Sequence, residues 1–485
     1  MRNAFKYLSQ FSATPEDVDR LIISAFLEIN KLDLKKNKLL KSYSISSKSK
    51  KEYSSLLEFV SAIFVDTEAF GFEELIELFE FVISPADRII NGAIYTPQNI
   101  RSFIVSEAFK KINAIDNSIK ISDIAMGCGG FLFNASIELK KRTGNTYSEI
   151  FRNNIFGLDI QEYSVNRTKL LLSLLALQSG EDEMEYEFNL HKGDSLDFDW
   201  STKVSEFRGF DIILGNPPYV CARNLDKETK DKLKNWEVCK SGNSDLYIPF
   251  FQIAIENLAE NGTLGFITMN SFFKSLNGRS LRDYFQRKEL AISIIDFGSE
   301  QVFKSKNTYT CICFIENKEE QFISYTESET KKLGGKLPFR KIKYSVLDSK
   351  KGWNLKDNKI ISKIESTGIP FGELYQTRHG IATLKNDIYI FRPVDEDENF
   401  FYLQNGSLYK IEKGICKDIV NSNKLSREVS LTNLKEKVIF PYDQQEKPKL
   451  LDENLMKESF PEAYKYLKNK RKILAERDKG KGNYE

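Results

Sequence analysis

Histidine is almost missing from this 485-residue chain: His191 and His379 are the only two, and they lie far apart. Such a pair does not furnish a His-ligated zinc centre or a Ser-His-Asp triad. Whatever chemistry the chain carries must run without histidine. Six cysteines in 485 residues are too few for a disulfide scaffold. Neither charge sign dominates, since 71 Lys+Arg against 69 Asp+Glu leave a formal net charge of +2. A nucleic-acid partner would therefore be held by local basic faces, because the global field is weak. Long apolar runs are also missing. The most apolar stretch, Leu170–Leu177 (LLLSLLAL), falls far short of the ~20 residues that span a bilayer. The start, MRNAFKYLSQFSATPEDVDR, has no apolar core of the signal-peptide kind. These absences predict a soluble, cytoplasmic protein in a reducing compartment, with no membrane partner.

What is present is 41% hydrophobic, 29% charged and 12% aromatic, enough for a large core and too apolar for a disordered chain. At about 100–200 residues per domain, the length predicts two to four domains. Residues 1–90 read as a helical N-terminal region, because LIISAFLEINKL and LLEFVSAIFVD carry apolar residues at three- and four-residue spacing. The Lys- and Ser-rich stretch between them is a solvated linker or, on a sharper reading, a phosphate-contacting loop. From about 120, short apolar runs alternate with helical stretches. ISDIAM (121–126), IFGLDI (155–160), FDIILG (210–215), TLGFITMN (263–270), LAISIIDFG (290–298) and TYTCICFIE (308–316) are strand candidates. Strands apolar on both faces and alternating with helices imply a doubly wound, mainly parallel sheet. After about 320 the alternation fails, and the polar stretch 317–341 reads as a boundary. Domains are expected at 1–90, 91–325 and 340–485, the last an α+β module.

Four signals carry chemistry. Asp123-Ile-Ala-Met-Gly-Cys-Gly-Gly-Phe-Leu132 is a strand ending in an acid, then a glycine-rich turn, then a helix. Glycines at 127, 129 and 130 let backbone approach a ligand closely, although the same pattern also makes a simple tight turn. The G-x-G-x-x-G spacing of a dinucleotide site is not there. Asp159, ending the next strand, is placed to accept from two ribose hydroxyls. Asp194 in Gly193-Asp-Ser195 follows a third strand, where a carboxylate accepts from an adenine amino group. Each acid alone is equally a helix N-cap, but three in order at successive strand ends point to a nucleoside-containing cofactor. The fourth signal is Gly215-Asn216-Pro217-Pro218-Tyr219, directly after the apolar strand FDIIL. The two prolines fix φ, so the Asn216 side-chain oxygen and the Pro217 carbonyl can accept from one exocyclic amino group. Tyr219 offers a face for stacking on a planar ring. Cys311 and Cys313 alternate on one strand and read as packing residues, and no metal ligand set is expected.

At these residues the sequence resembles the N6-adenine DNA methyltransferases of restriction–modification systems, in the order where the cofactor region precedes the catalytic tetrapeptide and a target-recognition domain lies C-terminal. The resemblance covers roughly residues 90–485. It implies an α/β fold, with a Rossmann-like doubly wound S-adenosylmethionine-dependent methyltransferase domain between the helical region and an α+β recognition domain. It implies S-adenosyl-L-methionine as cofactor and double-stranded DNA as substrate, with a separate restriction endonuclease or specificity subunit as a further partner. Gly92-Ala-Ile-Tyr-Thr-Pro97 looks like the family's upstream motif, so Tyr95 and Thr96 would meet the cofactor, Thr96 at its methionine carboxylate. Asp123, Ala125, Gly127 and Gly129 would hold the methionine moiety, Asp159 and Ile160 the ribose, and Asp194 with Ser195 the adenine. Asn216, Pro217, Pro218 and Tyr219 would be catalytic, and Phe303 would join Tyr219 in stacking on a flipped base. Arg378, Lys385 and Asn386 resemble the opening of a recognition domain and would contact DNA. The basic tail AYKYLKNKRKILAERDKGKGNYE suits phosphate contact or a solvated surface helix. Family members usually continue further, so the recognition domain is expected to be truncated. Two other readings stay open: a methyltransferase-like DNA-binding subunit without turnover, and an Asn-Pro-Pro-Tyr methyltransferase acting on protein glutamine or RNA.

Overall fold

The computed structural model describes residues 1–12, 14–81, 95–112, 115–303, 308–357, 360, 363–364, 366–376, 380–421, 430–443 and 449–476. The chain divides into two compact units, Met1–Thr367 and Gly368–Glu485.

The first unit is built on a nine-stranded sheet: β1 (Ile121–Asp123), β2 (Ile155–Asp159), β3 (Asn189–Lys192), β4 (Phe210–Gly215), β5 (Leu258–Met269), β6 (Leu290–Asp296), β7 (Thr310–Glu319), β8 (Phe322–Glu327) and β9 (Arg340–Lys343). Their spatial order is β3-β2-β1-β4-β5-β7-β6-β8-β9. The strands β3, β2, β1, β4 and β5 run parallel, while β7 inserts antiparallel between β5 and β6. The order reverses direction between β1 and β4, where Asp123 stands beside Leu214. Neighbouring crossovers diverge there, opening a crevice beyond the strand ends. Asp123, Asp159 and Gly215 each end a strand at this edge. The stretch 317–341, polar in sequence, supplies β8, which pairs with β6, while β9 pairs with β8; the compact unit continues to Thr367.

The helices of this unit include α1 (Arg2–Phe11), α2 (Pro15–Ile29), α3 (Lys38–Ser42), α4 (Lys50–Asp66), α5 (Phe72–Phe81), α6 (Gln98–Lys111), α7 (Gly130–Thr143), α8 (Tyr147–Asn153), α9 (Glu162–Gln178), α10 (Lys227–Leu233), α11 (Tyr247–Glu256) and α12 (Arg279–Lys288). α9 is apolar nearly all round, with every residue from Leu170 to Leu177 buried, which marks a helix enclosed by its neighbours. One of those neighbours is the N-terminal region, whose Leu21, Phe26 and Phe79 join the sheet's own core cluster. A buried ion pair ties the two: Arg167 Nε of α9 donates to Asp19 Oδ1 of α2 at 2.9 Å, and Nη1 donates to the Phe79 carbonyl at 2.9 Å. The Lys/Ser-rich stretch is largely exposed, as a solvated linker is, and is anchored at one point. The backbone amides of Lys35, Lys36 and Asn37 all donate to the Asp182 carboxylate, at 2.7, 2.7 and 2.9 Å. A carboxylate satisfied by three successive amides holds a loop firmly, beside the apolar burial of Leu40.

The second unit carries two three-stranded antiparallel sheets. Ile390–Phe391, Lys435–Ile439 and Cys416–Val420 form one; Asp395–Glu396, Phe400–Asn405 and Ser407–Glu412 form the other. Gly406, at φ 76°, turns the hairpin between the last two. Phe401, Leu403, Ile411, Ile415 and Tyr466 pack a separate core. Among the described residues no helix of either unit is long and apolar enough to cross a membrane.

Candidate active site

A cavity of about 390 Å³ opens at the switch point of the first sheet, within the range of small-molecule sites. Its floor is the turn between β1 and α7. Gly127 and Gly129 take left-handed φ of 53° and 83°, which side chains rarely adopt, and a Cβ at Gly129 would come within 2.6 Å of Thr168. Gly129 itself does not line the cavity; it shapes the turn. The Gly127 amide donates to Asp159 Oδ2 at 3.0 Å, and the Gln161 amide donates to Asp159 Oδ1 at 2.8 Å. Asp123 Oδ1 accepts from the Ala125 amide at 3.0 Å. A Cβ at Gly215 would lie 2.9 Å from that same Oδ1, so β4 passes Asp123 only as glycine.

Asp123 is buried and Asp159 partly so, and among the described residues neither carboxylate is in a salt bridge. Burial pushes the Asp123 carboxyl up to about 8, with Asp159 and Glu80 adding repulsion. Burial also pushes Asp159 up to about 6, against its amide hydrogen bonds.

Tyr95 and Thr96, before α6, line the cavity together with Arg101. Arg101, 2% exposed, grips Glu73 through Nη2 at 2.8 and 2.6 Å, donates from Nη1 to the Thr96 carbonyl at 2.7 Å, and from Nε to Asn134 Oδ1 at 3.1 Å. Its guanidinium lies 5.7 Å from the Tyr95 ring centroid. Thr96 is thus fixed through its carbonyl, and its hydroxyl accepts from Asn216 Nδ2 at 3.0 Å. The upstream motif and the tetrapeptide after β4, 120 residues apart in sequence, meet in one hydrogen bond.

Asp194, Ser195 and Ile160 line the cavity as well. Asp194 Oδ1 accepts from the Leu196 amide at 3.0 Å, and Oδ2 from Lys232 Nζ of α10 at 2.7 Å. Lys232 also reaches Asp197 Oδ2 at 2.8 Å. Ser195 Oγ donates to the Ile124 carbonyl, tying the loop after β3 to the end of β1. Ile160, 53% exposed, offers an apolar wall.

Asn216 and Pro218 line the cavity. Pro217 is buried beside them. Tyr219 and Phe303 do not line it: they are 5% and 3% exposed and pack against each other edge to face, centroids 6.0 Å apart. The aromatic pair expected from sequence is adjacent, and closed. Lys385 and Asn386 belong to the second unit; Thr383 Oγ1 donates to Asn386 Oδ1 at 2.6 Å, so Asn386 serves a turn there. Arg378 lies outside the described residues. Of the tail, Lys470 donates to the Asn405 carbonyl and Oδ1, both at 3.0 Å, within its own unit.

Sequence reasoning missed Arg101, Lys232 and Glu80, all of which bear on this cavity. Arg101 sits one helical turn after Pro97, where a side chain faces back on the Tyr-Thr-Pro loop. Glu73, Glu77 and Glu80 recur at helical spacing in a helix whose one other polar residue is Glu74, a face whose acids needed explaining. Lys232, in KETKDKL, carried no signal.

Residues 153–303 match a family model described as the Eco57I restriction-modification methylase. Over 466 residues the chain is 27% identical to the Type II restriction enzyme and methyltransferase RM.Eco57I of Escherichia coli, covering 81% of this chain and 46% of that protein. It is 28% identical over 240 residues to the Type II methyltransferase M.BstVI of Geobacillus stearothermophilus, covering 47% of this chain and 42% of that one. The chain thus spans under half the length of these curated relatives. Among solved structures, the Type IIL restriction-modification enzyme MmeI in complex with DNA aligns over 97% of this chain and 68% of its own, with a TM-score of 0.56 at 14% identity. The DrdV-DNA complex aligns over 70% of this chain and 40% of its own, with a TM-score of 0.52 at 17% identity. The fold is the one seen in MmeI. Its sequence relatives are Type II methyltransferases.

Proposed function

We propose that this chain methylates DNA, transferring a methyl group from S-adenosylmethionine to N6 of an adenine flipped out of the duplex, and so protects host DNA in a restriction–modification system. The observation that carries this reading is the Asn216–Thr96 hydrogen bond. It sets Asn216, beside Pro218, against a cavity whose other residues suit a cationic nucleoside. The residues fit that cofactor: the raised carboxyls of Asp123 and Asp159 are those that a positively charged ligand would relieve. Asp159 and Asp194 would take the ribose hydroxyls and the adenine amino group, with Ile160 against the ring. Bound there, the cofactor supplies a methyl group already activated on a sulfonium.

The rest of the work falls to this chain's residues. Adenine N6 is a weak nucleophile because its lone pair is delocalised into the ring. With Nδ2 engaged by Thr96, the Asn216 amide presents Oδ1 as its acceptor. Oδ1 and the Pro217 carbonyl would draw the two amino hydrogens out of the ring plane and concentrate the lone pair on nitrogen. This is catalysis by position and electrostatics. The base must leave the stack to reach these acceptors. Parting Tyr219 from Phe303 would open two faces for it, and stacking on each is worth about 1–3 kcal/mol.

Incubation with labelled S-adenosylmethionine and unmethylated DNA, followed by nucleoside analysis, tests the reading. N6-methyladenine in DNA is expected, and Asn216→Ala should abolish it while cofactor binding persists. Label in RNA or protein alone, or full activity in the variant, would overturn the assignment.

A further inference from the structure

β4 and β5 run parallel, so the loop after β5 leaves the sheet at the same edge as Asn216. That loop, residues 270–280 (NSFFKSLNGRS), holds Lys274 and Arg279 and no acid. A second turn, residues 348–353 (DSKKGW), lies against it. The Trp353 amide donates to the Phe273 carbonyl at 2.6 Å, and Arg279 Nε donates to the Lys350 carbonyl at 3.3 Å. A Cβ at Gly352 would stand 3.1 Å from Lys274 Cα. Arg282 of α12, fully buried, staples the two turns together. Its Nε and Nη2 donate to the Ser349 carbonyl at 2.9 and 2.7 Å, and its Nη1 donates to the Phe272 and Ser275 carbonyls at 2.6 and 2.9 Å. Residues 241–247 link this loop to the tetrapeptide. Ser241 Oγ lies 2.6 Å from Ser280 Oγ, the Leu246 amide donates to the Val220 carbonyl at 2.9 Å, and the Ala222 amide donates to Asp245 Oδ1 at 2.9 Å.

The positive charge on the two turns is not balanced locally. Lys274, Lys350 and Lys351 are exposed and Arg279 is half-buried. Asp348, the one acid in either turn, accepts through Oδ1 from the Lys350 and Lys351 amides at 2.8 and 2.9 Å. Asp283, one helical turn after Arg279, is taken by Arg287 at 2.8 Å. Among the described residues Lys274, Arg279, Arg282, Lys350 and Lys351 are in no salt bridge. Arg282 keeps its charge among carbonyls alone, and burial, with repulsion from Arg279, pushes it down to about 10. Cations left unbalanced in one place attract a polyanion and release its counterions. A base that reaches Asn216 belongs to a duplex passing this edge of the sheet, which brings phosphates to the loops that leave it. We propose that the turns bearing Lys274, Arg279, Lys350 and Lys351 are a phosphate-binding face of the first unit that holds the DNA backbone beside the flipped base. This rests on the reading of the chain as a DNA methyltransferase and adds a DNA contact outside the second unit.

The test is the affinity of the full chain for an unmethylated duplex, measured by fluorescence anisotropy across a salt series. Phosphate contacts carry no sequence information, so any duplex serves. Lys350→Gln with Lys351→Gln should make the slope of log affinity against log salt shallower by about two, one for each lost contact. Lys350→Arg with Lys351→Arg should keep the wild-type slope. Lys35→Gln with Lys36→Gln, which removes the same charge from the N-terminal region, should keep it too. A wild-type slope in the Lys350/Lys351 glutamine variant overturns the proposal. So does an equal loss in the Lys35/Lys36 variant, which would make global charge the cause. A loss for duplex RNA with none for duplex DNA would give the face to RNA and also overturn it. Wild-type protein that binds no duplex DNA at low salt overturns the DNA reading itself. If the Lys350/Lys351 glutamine variant melts below wild type, Lys274→Gln takes its place with an expected change of about one, and an unchanged slope there overturns the proposal.

Discussion

At the scale of single residues, the site is governed by buried carboxylates whose protonation the fold controls. The Asp123 carboxyl is held at about 8 by burial first and by neighbouring acids second, whereas in the unfolded chain it titrates near its ordinary value of about 3.9. The folded chain therefore keeps a proton that the unfolded chain releases, and stability falls as pH rises from about 4 towards 8. Asp159, at about 6, adds to the lower half of that window. A cationic ligand reverses the preference by favouring the ionised forms, so its affinity should rise with pH between about 6 and 8. Thermal melting of the ligand-free protein at constant ionic strength is expected to show a wild-type Tm falling across pH 5–8, with a shallower slope in Asp123→Asn. Titration calorimetry with S-adenosylmethionine in the absence of DNA should show proton release near pH 7, diminished in the same variant. A variant with wild-type slope would mean that Asp123 is already ionised in the apo protein.

Much of this residue pattern was legible before the fold. Asp123, Asp159 and Asn216 announced themselves because each ends an apolar run, and a parallel sheet gathers the ends of its strands at one edge. Nothing in such a pattern reveals a partner that comes from far along the chain. The Arg101–Thr96–Asn216 relay and the Lys232–Asp194 pair depend on how a helix is rotated and where a crossover lands, which one-dimensional spacing does not encode. The closed Tyr219–Phe303 pair is similar: sequence supplies two aromatics, and only packing determines that they cover each other.

At the scale of elements, the N-terminal helices illustrate the same divide. Their periodicity was plain, but not the buried ion pair that joins them to α9 within the shared apolar core. Asp19 and Arg167 have side chains 4% and 1% exposed, and burial raises the Asp19 carboxyl to about 6 in spite of the guanidinium beside it. Removing the cation alone strands that carboxylate and the Phe79 carbonyl without their donor. Arg167→Met should therefore cost about 3–5 kcal/mol in urea denaturation at pH 7.5. The loss should shrink below pH 6, where Asp19 takes up a proton and no longer needs a partner. Replacing both residues, as Asp19→Leu with Arg167→Met, should recover much of it, since an apolar pair of similar volume carries no desolvation cost. A double variant as unstable as the single one would show that the helices depend on the hydrogen bond to Phe79 and not on charge.

At the scale of the whole molecule, a net charge of +2 leaves DNA affinity to local faces, and in the second unit many cations already have partners. Lys435 and Lys437 both reach Asp418, Lys413 reaches Glu396, and Lys410 reaches Glu462. These exposed pairs are each worth under about 1 kcal/mol, so phosphates could displace their acids at little cost. Lys385 differs, since its backbone is fixed by a bond from its amide to Thr383 Oγ1 at 3.2 Å at the start of the Asn386–Tyr389 helix. A lysine held at a turn loses less freedom when it meets a phosphate than one on a mobile loop. Duplex binding by the full chain is thus expected to weaken linearly with the logarithm of salt concentration, and Lys385→Ala should reduce the magnitude of that slope by about one. The ranking of DNA sequences should stay the same, because phosphate contacts position the protein and do not read bases. Fluorescence anisotropy on two duplexes across a salt series separates the outcomes. An unchanged slope would remove Lys385 from the interface, and a changed sequence ranking at constant slope would make it a base-reading residue.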